Sequence, residues 1–342
     1  MLLVGCSQFG PLRLDDDQLG YVRALSSGQK QQTLLNIVQL RYGDTPAFLD
    51  ATQVISAYQR QRNVTGGFEA LPGETGSYIT GTGSYQLQES PTFTFQPVAG
   101  EQFAQNFLRP LSPSEILPLI TGGLPIDVVF RLGVESVNRV RNGTALGGPK
   151  AGESPEFMEL LRELRVLQIA GLLTVRFVEP AKQDPKAAAR ARTFIALVQT
   201  DDPTLNEVEA DVRRKLGMRP GAASVEVVYG VVGGQNGVVA LDTRTMLGVL
   251  AYVAFQIEAP ADDIAANRTM PAIAHTRRPV IVIHSAPREP KEAFVRVRYN
   301  KTWFFISDTD FDSKVAFTIL QTLLALAKTS TAPGAIVTIP AG

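Results

Sequence analysis

The chain has 342 residues, which is enough for one large domain or two smaller ones. Hydrophobic residues make up 44% and charged residues 19%, a balance typical of a globular protein and not of a disordered one. Lysine plus arginine equal aspartate plus glutamate at 33 each, so no net charge attracts nucleic acid or an anionic lipid surface. We therefore expect no nucleic-acid partner.

The beginning of the chain reads Leu3-Val4-Gly5-Cys6, and Cys6 is its only cysteine. A lone cysteine cannot form an internal disulfide, and a small residue such as Gly5 fits the cleft of a signal peptidase. These four residues resemble the lipobox of bacterial lipoproteins, in which the cysteine carries a diacylglycerol and, after cleavage, a third acyl chain on its amine. The resemblance implies that residues 1–6 are a signal-peptide remnant with its lipobox, and that Cys6 is the lipidation site.

This resemblance also predicts a location. A signal peptide needs an apolar region of about 7–15 residues before the cut, so we expect translation to start upstream of Met1. Ser7 follows the cysteine where an aspartate would signal retention, which in the lipoprotein family implies sorting to the outer membrane. Apolar runs such as residues 248–257 are shorter than the roughly 18–20 residues that span a bilayer. We expect a periplasm-facing body that the lipid alone anchors.

The first predicted elements are a tether, a helix and a strand. The tether is residues 7–25, which hold the acidic run Asp15-Asp16-Asp17, and the body is expected to begin at residue 26. A helix is predicted over residues 27–42. Residues 47–60 are predicted as a strand, although their apolar spacing would also suit a helix.

Residues 65–98 are rich in glycine, threonine, serine and tyrosine. Phe93 and Phe95 alternate with Thr92 and Thr94 after a proline-bearing turn, which predicts a β-hairpin. Three interpretations stay open: an extended arm, an edge that pairs with a partner, and one protomer's share of an oligomeric barrel.

The middle of the chain is predicted to mix helices and strands. A short helix around Phe107 precedes Ser112-Pro113-Ser114-Glu115, a capping box that predicts a second helix through Ile120. Alternating apolar residues over 127–137 predict a half-buried strand. Residues 142–153 are glycine-rich and are interpreted as a linker at which the body is subdivided.

The second half of the body is also predicted to mix helices and strands. Helices are predicted over 154–170, 202–216, 243–258 and 313–328, and strands over 172–178, 193–198, 280–284, 294–299, 303–306 and 335–339. Residues 179–192 are interpreted as a mobile excursion, and residues 225–231 and 238–241 as the two arms of a hairpin. Because tight turns join several strands and no regular βαβ order appears, the fold class is predicted to be α+β, with a mixed, mostly antiparallel sheet and packed amphipathic helices.

Two motifs in the body resemble segments of uncharacterised lipoproteins of proteobacteria. They are Leu40-Arg41-Tyr42-Gly43-Asp44-Thr45-Pro46 and Trp303-Phe304-Phe305-Ile306-Ser307-Asp308. The resemblance implies no function for them.

No catalytic, metal-binding or cofactor-binding residue is predicted. His275 and His284 stand at no metal-ligand spacing, and no GxSxG nucleophile motif is present. Asp308-Thr309-Asp310-Phe311-Asp312 looks like the start of a Ca²⁺ loop but lacks the required glycine and glutamate, so Asp310 or Asp312 is interpreted as a helix N-cap. Four Asn-X-Thr sequons are interpreted as chance, at Asn63, Asn142, Asn267 and Asn300.

Three functions follow as hypotheses. The favoured one is a lipid-anchored structural or assembly subunit that binds envelope proteins or further copies of itself. The second is an oligomeric secretion channel in which the hairpins form a shared β-barrel. The third is an envelope hydrolase that uses carboxylates such as those of residues 308–312.

Overall fold

The computed structural model describes residues 11–69, 78–143, 152–178, 192–231, 237–271, 278–328 and 337–340, with the backbone alone over 11–18, 50–69, 78–95 and 337–340. The chain forms two compact units. The first contains Met1–Pro46 and Gly100–Ser330, and the second contains Ala47–Ala99 and Thr331–Gly342. Cys6 and His275 lie outside the described residues. The residues on both sides of the predicted subdivision at 142–153 belong to the first unit.

The helices and strands are numbered in chain order. The helices are α1 Pro11–Arg41, α2 Gly100–Phe103, α3 Pro113–Thr121, α4 Ile126–Gly133, α5 Pro155–Ile169, α6 Pro203–Lys215, α7 Met246–Ala254, α8 Ala261–Ala265 and α9 Phe311–Ala327. The strands are β1 Leu49–Glu69, β2 Tyr78–Pro97, β3 Val134–Val137, β4 Val140–Arg141, β5 Leu173–Val178, β6 Arg192–Leu197, β7 Ser224–Tyr229, β8 Val238–Thr243, β9 His284–Ala286, β10 Ala293–Tyr299, β11 Thr302–Ser307 and β12 Val337–Pro340. A π-helical turn, Ala104–Leu108, follows α2.

The first unit has an α+β fold, as the sequence predicted. Its larger sheet has six strands in the order β4-β3-β8-β7-β6-β5, and its smaller sheet has the order β10-β11-β9. Every neighbouring pair in these sheets is antiparallel except β7 and β8. A two-residue turn at Asn300-Lys301 joins β10 to β11, and Asn300 has the positive φ of 52° that such a turn needs.

The core of the first unit lies between helices from both ends of the chain. Ile37 on α1, Val253 on α7 and Phe317 on α9 are all fully buried. Each of these helices contacts at least one of the other two, so α1 is held by elements that follow it by more than two hundred residues. Several buried leucines on α5 follow the predicted stripe, at Leu160, Leu161, Leu164 and Leu167, and Ser154 caps this helix at its N-terminus as predicted.

The predicted strand over 127–137 is wrong in its first part, because residues 126–133 form α4. The alternation of Val128, Phe130 and Leu132 suits a strand. The buried residues instead include Ile126, Val129, Phe130 and Gly133, which are spaced as one face of a helix. Since Val128 and Val129 are both apolar, the segment fits both periods, and packing against neighbouring helices favours the helix.

The predicted hairpin of residues 225–231 and 238–241 is also wrong. Both segments are strands, but β7 and β8 are parallel neighbours, with Glu226 opposite Val238 and Tyr229 opposite Leu241. The chain therefore returns to the starting end of β7 before it enters β8. Glycine-rich residues between two strands indicate a change of direction, but they do not fix how far the chain travels before pairing resumes.

Other boundaries differ more modestly. Helix α1 begins at Pro11, well before the predicted start at residue 27, and therefore overlaps the predicted tether. Helix α7 begins at Met246, with Thr245 as its N-cap, because Thr243 still belongs to β8. Strand β9 begins only at His284, near the end of the predicted strand over 280–284. Among the described residues, no helix is long and apolar enough to cross a bilayer.

Candidate functional site

The most distinctive feature of the second unit is a very long β-hairpin. Strand β1 has 21 residues and β2 has 20, and they pair antiparallel from Leu49 opposite Pro97 to Glu69 opposite Tyr78. A strand of this length extends for about 70 Å, several times the usual strand of 5–6 residues. A bulge between Ala51 and Gln53 interrupts the register once near its base. The sequence predicted a hairpin here, but over a shorter span.

The two long strands have few other partners. Strand β12 pairs only with Thr92–Phe95 of β2, and β1 lies at the edge of this three-stranded sheet. In the described part of the chain, residues 53–69 of β1 pair with no strand besides β2, and residues 78–91 of β2 pair with none besides β1. A two-stranded ribbon is at best marginally stable in water, and a long edge is a template for pairing with another strand.

Register and sequence divide the hairpin beyond the bulge into two faces of different chemistry. Alternate residues share a face, so the odd-numbered residues of β1 lie with the even-numbered residues of β2. We call this the polar face. It contains no charged residue from Gln53 to Gly67 or from Thr80 to Thr94, and all but three of its residues carry an amide or a hydroxyl. Its residues on these two segments are Gln53, Ile55, Ala57, Gln59, Gln61, Asn63, Thr65 and Gly67 on β1, and Thr80, Thr82, Ser84, Gln86, Gln88, Ser90, Thr92 and Thr94 on β2.

The opposite face is called the apolar face. Towards the hairpin end it carries five apolar or aromatic residues and three glycines: Val64, Gly66, Phe68, Ile79, Gly81, Gly83, Tyr85 and Leu87. The charged residues of this face, Arg60, Arg62 and Glu89, all lie nearer the base than Val64 and Gly83. The two faces therefore differ along the whole ribbon, and the apolar one is free of charge only over its outer part.

A second cluster lies in the first unit, at the point where the chain leaves for the hairpin. We call Arg41, Tyr42, Asp44, Asp263 and Tyr299 the exit cluster, because Pro46 is the last residue before the second unit begins. The Tyr42 hydroxyl donates to Asp263 Oδ2 at 2.7 Å, and the Tyr299 hydroxyl donates to Asp44. The rings of Tyr42 and Tyr299 lie 5.0 Å apart between centroids. These contacts fix the end of α1.

Further contacts extend the exit cluster. The rings of Tyr42 and Phe304 pack edge to face, with their centroids 6.0 Å apart. The Arg41 Nη2 donates to the Met270 carbonyl at 2.7 Å, and the Thr269 hydroxyl donates to the Arg41 carbonyl at 2.7 Å. The structure thus brings together the two motifs that the sequence singled out, around Tyr42 and around Phe304.

Burial and hydrogen bonding change the acidity of the exit cluster. Burial, together with the hydrogen bond to Asp44, raises the pKa of Tyr299 to about 12. Burial and Asp263 raise the pKa of Tyr42 in the same way. Hydrogen bonds from Tyr42 and Arg268 lower the pKa of Asp263. At neutral pH both tyrosines are therefore neutral hydrogen-bond donors, which is a structural arrangement and not that of a general base.

Arg244 is a buried charge of the first unit, of which 5% is exposed. Its Nη1 donates to the carbonyls of Arg131 at 3.0 Å, Leu132 at 3.2 Å and Val134 at 2.8 Å, and its Nη2 donates to the Gly143 carbonyl. The carbonyls of Arg131, Leu132 and Val134 lie at the C-terminal end of α4, where the helix dipole favours a cation. Burial lowers the pKa of Arg244.

Aromatic and acidic groups surround this guanidinium. It lies 4.2 Å from the ring centroid of Tyr252, whose hydroxyl donates to Glu153 Oε1 at 2.7 Å. The same Glu153 oxygen accepts from Arg131 Nη2 at 3.0 Å. Burial and the nearby Glu153 raise the pKa of Tyr252. Every polar group here has a partner, and the network fixes α4 and the segment around residue 143.

Two adjoining depressions of about 690 and 360 Å³ lie along α4, α5 and α9, and Asp127, Arg131 and Arg165 line both. Their charged groups are paired with one another. Arg165 Nε lies 3.6 Å from Asp127, Arg131 contacts Glu153, and Arg278 Nη2 lies 2.5 Å from Asp310. Positive and negative residues alternate along the walls, which favours no ligand of one charge.

The residues that the sequence considered for chemistry have structural roles where they are described. His284 begins β9, and its ring lies 5.4 Å from that of Phe305. Asp310 caps α9 by accepting from the Ser313 backbone N–H at 3.2 Å, which confirms the capping interpretation. The described residues contain no group of three or more His, Cys, Asp or Glu that could hold a metal ion.

The sequons differ in their surroundings. Asn142 is 1% exposed, and its Nδ2 donates to the carbonyl of Val134 at 2.7 Å. A glycan could not be attached there in the folded protein. Asn267 and Asn300 have positive φ angles of 53° and 52°. Asparagine tolerates this conformation better than most residues, which explains its presence at both positions. Asn63 lies on the polar face of β1.

Comparisons with known proteins add no relative. No family model, no curated protein and no solved structure matches this chain.

Proposed function

We propose that the protein is an outer-membrane lipoprotein that faces the periplasm, is anchored by lipid on Cys6, and acts as a structural subunit that assembles with copies of itself. The observation that carries the assembly role is the hairpin edge. Residues 53–69 of β1 form one long row of backbone groups for which the described chain supplies no second strand. A strand from another molecule would satisfy these groups.

The partner that fits this edge best is a second copy. Each copy carries two complementary edges, that of β1 and that of β2 over residues 78–91. If β1 of one copy pairs with β2 of the next, every interface is the same and each copy uses a different edge on each side. Such head-to-tail contacts form a ring when the rotation closes.

The proline at position 91 indicates which backbone groups serve this pairing. A proline in a strand is tolerated where no N–H is needed, and Pro91 lies opposite Ser56. This makes Ser56 and Pro91 a pair that does not exchange hydrogen bonds, so the N–H of Ser56 faces the outer edge of β1. Antiparallel ladders alternate, and the N–H of Ala57 therefore belongs to the ladder with β2.

The assembly is tested by the size of the full-length protein extracted in a mild detergent. We expect a ring-sized particle for the wild type and a monomer when residues 53–94 are replaced by a short Gly-Ser linker, which keeps the base pairs from Leu49 to Ala51. The linker variant should keep the far-UV spectrum of the first unit. A wild type that is monomeric at every concentration, or a linker variant that keeps the wild-type size, would refute the proposal.

The anchor is tested separately. Mass spectrometry of the native protein should show the acylated cysteine as the first residue, and Cys6→Ser should release the protein from the membrane fraction. An unmodified thiol on a membrane-free native protein would remove the proposed location without affecting the proposed assembly.

A second candidate function is the secretion channel, in which the assembled hairpins form a shared β-barrel. The observation that favours it is the difference between the polar and apolar faces of the hairpin. A self-associating spacer or scaffold needs edges that pair, whereas a barrel in a membrane also needs two faces of different chemistry.

A further inference from the structure

We infer that the outer part of the hairpin crosses the hydrocarbon layer of a membrane, with the apolar face towards lipid and the polar face lining a water-filled lumen. The inference rests on the proposed assembly, because a single hairpin would expose its edges to lipid. It predicts for each position of the outer strands whether the residue faces lipid or the lumen, and it predicts which side chains line the lumen.

The first argument is the division of residue types between the faces. Along residues 53–67 and 80–94 the polar face carries amides and hydroxyls but no charge. The apolar face carries Val64, Phe68, Ile79, Tyr85 and Leu87 towards the hairpin end. Strict alternation of this kind, with a lipid-facing and a lumen-facing residue in turn, is the pattern of transmembrane barrel strands.

The second argument is length. On β2 the apolar face carries no charge from Ile79 to Leu87, which is nine residues and about 30 Å. On β1 it carries none from Val64 to Phe68, opposite Ile79 to Gly83, so the inner four residues of the β2 stretch face a β1 segment that carries Arg60 and Arg62. A tilted transmembrane strand needs about 9–11 residues. The hairpin is thus long enough to cross the layer with its outer part, while its inner part stays outside.

The third argument is where the charges stop. Arg60 and Arg62 lie opposite Leu87 and Tyr85, at the inner limit of this stretch, and Glu89 lies beyond it. Charged residues on the lipid side of a barrel cost little near the interface but about 2–4 kcal/mol at the midplane. The long arginine side chain can keep its charge in the interface while its stem lies against apolar surface. Arg60 and Arg62 therefore mark the boundary of the hydrocarbon layer that is nearer the base of the hairpin.

The lumen that results is polar and carries no charge between Gln53 and Gly67, while Glu69 adds one carboxylate per copy at its outer end. The wall between would carry glutamine, asparagine, serine and threonine, repeated once per copy around the ring. Such a wall stabilises neither cations nor anions, so only the terminal Glu69 ring would favour cations, and the pore would pass hydrated solutes with little selection by charge.

The alternative is an extended arm in water. In that case the apolar face would expose Val64, Phe68, Ile79 and Leu87 along an unprotected edge, which is an aggregation hazard. A soluble arm also gives no reason for one face to carry arginines and a glutamate while the other excludes every charge over the same length.

The test uses the full-length protein reconstituted into planar bilayers and compares two neighbouring substitutions that add the same charge. Asn63→Asp places a carboxylate on the polar face, and Val64→Asp places it on the apolar face one residue away. Particle size in detergent is measured for both variants and the wild type before reconstitution. This first measurement reports on assembly, and the conductance reports on the faces.

We expect wild-type pores with a cation-to-anion permeability ratio near unity. A ring of carboxylates in Asn63→Asp should raise that ratio roughly fivefold with the pore count unchanged, because the charges line the path of the ions. Val64→Asp should lower the number of inserted pores roughly tenfold or more, because each copy then places a carboxylate in hydrocarbon. The few pores that insert should keep the wild-type ratio.

The outcomes separate the two proposals. A wild type that forms no ring overturns the proposed assembly and this inference together. Rings that insert but give no conductance overturn the inference alone, as does an equal effect of the two substitutions on permeability or on insertion. A selectivity change in Val64→Asp without one in Asn63→Asp would show that the assignment of the faces is reversed.

Discussion

The six-stranded sheet of the first unit and the hairpin of the second unit complete their backbone hydrogen bonding in different ways. In the six-stranded sheet, β3, β6, β7 and β8 each have a strand on both sides, and the edges are the six-residue β5 and the two-residue β4. The hairpin has strands more than three times as long as β5, and β1 has a neighbour on one side only beyond the bulge. The six-stranded sheet therefore has short edges, whereas among the described residues the hairpin has a long edge on each strand with no partner strand, at which a strand from another chain could pair.

The two regions also treat charge differently. The first unit buries a guanidinium and surrounds it with carbonyl oxygens, an aromatic ring and carboxylates, as at Arg244. The hairpin carries no charge on its polar face from Gln53 to Gly67, with Glu69 only at the outer end, and it confines the charges of the apolar face to the inner part. Substitutions in the first unit should change its unfolding free energy and leave the particle size alone, while substitutions on the hairpin should do the reverse.

The largest effect is expected for Arg244→Met. It removes the guanidinium donor from the carbonyls of Arg131, Leu132 and Val134 in a buried site, where the Asn142 amide still donates to those of Arg131 and Val134. We expect the unfolding free energy of the first unit to fall by about 3–5 kcal/mol, measured by denaturant titration of intrinsic fluorescence. Arg244→Lys keeps the charge but not the planar fork, and should lose about half as much. A loss below about 1 kcal/mol for Arg244→Met would contradict the central role given to this network.

The next effect is expected for Ser56→Pro on the hairpin. The substitution removes an N–H from the outer edge of β1 without touching the ladder to β2, because its partner is Pro91. The concentration at which the oligomer dissociates should rise roughly tenfold, which is about 1.4 kcal/mol per interface.

The matched control is Ala57→Pro, which removes an N–H from the ladder between β1 and β2. It should disturb the hairpin itself, visible as a loss of β signal in the far-UV spectrum. If Ser56→Pro and Ala57→Pro both leave the dissociation concentration unchanged, the edge of β1 is not the interface.

A smaller effect is expected for Tyr42→Phe in the exit cluster. It removes the hydrogen bond to Asp263 but keeps the ring contacts with Tyr299 and Phe304. The unfolding free energy of the first unit should fall by about 1 kcal/mol. Tyr229→Phe is a suitable control, since that tyrosine lies outside the cluster and is 54% exposed. Equal losses for the two variants would show that the Asp263 hydrogen bond has no particular weight.

The smallest effect concerns alkaline pH. The pKa of Tyr299 rises from about 10 in the unfolded chain to about 12 in the fold, so the neutral phenol is favoured by folding. The stability that it contributes is complete below pH 10 and is lost as the pH rises from about 10 to 12. Because solvent screens this partly exposed group, we expect a loss of no more than about 1 kcal/mol. In Tyr299→Phe the unfolding free energy should lack this part of the decline between pH 10 and 12. If its plot against pH is identical to that of the wild type, the raised pKa of Tyr299 does not contribute to stability.

Local sequence signals predicted much of the first unit. Ser154-Pro155 and Asp202-Pro203 mark the starts of α5 and α6, because a side-chain acceptor followed by proline suits a helix N-terminus in any context. Asn300-Lys301 similarly marks a two-residue turn. These signals act over a few residues, and no distant contact is needed to read them.

The rest depends on contacts between distant parts of the chain. Residues 126–133 fit both a helical and a strand period, and packing decides between them. The hydrogen bond of Tyr42 to Asp263 spans 221 positions, and that of Tyr299 to Asp44 spans 255. The sequence singled out the motifs around Tyr42 and Phe304 only by resemblance, and nothing in their spacing showed that they meet.

The hairpin was predicted in kind but not in extent. The predicted strand over residues 47–60 ended before Gln61 and Arg62, yet β1 continues to Glu69. Pairing with β2 determines the strand here, since each residue from Gln53 to Glu69 has an antiparallel partner. The two faces became visible only once the register was known.

The order of the elements along the chain has a consequence for how the protein is made. The hairpin is inserted between Pro46 and Gly100, whereas the core of the first unit is completed only by α9. A ribosome adding about 5–20 residues per second needs roughly 10–50 s to go from the hairpin to that last helix. Throughout this interval both long strands of the hairpin have been synthesised while the core of the first unit is incomplete, so the unpaired strand edges are open to non-native pairing during synthesis.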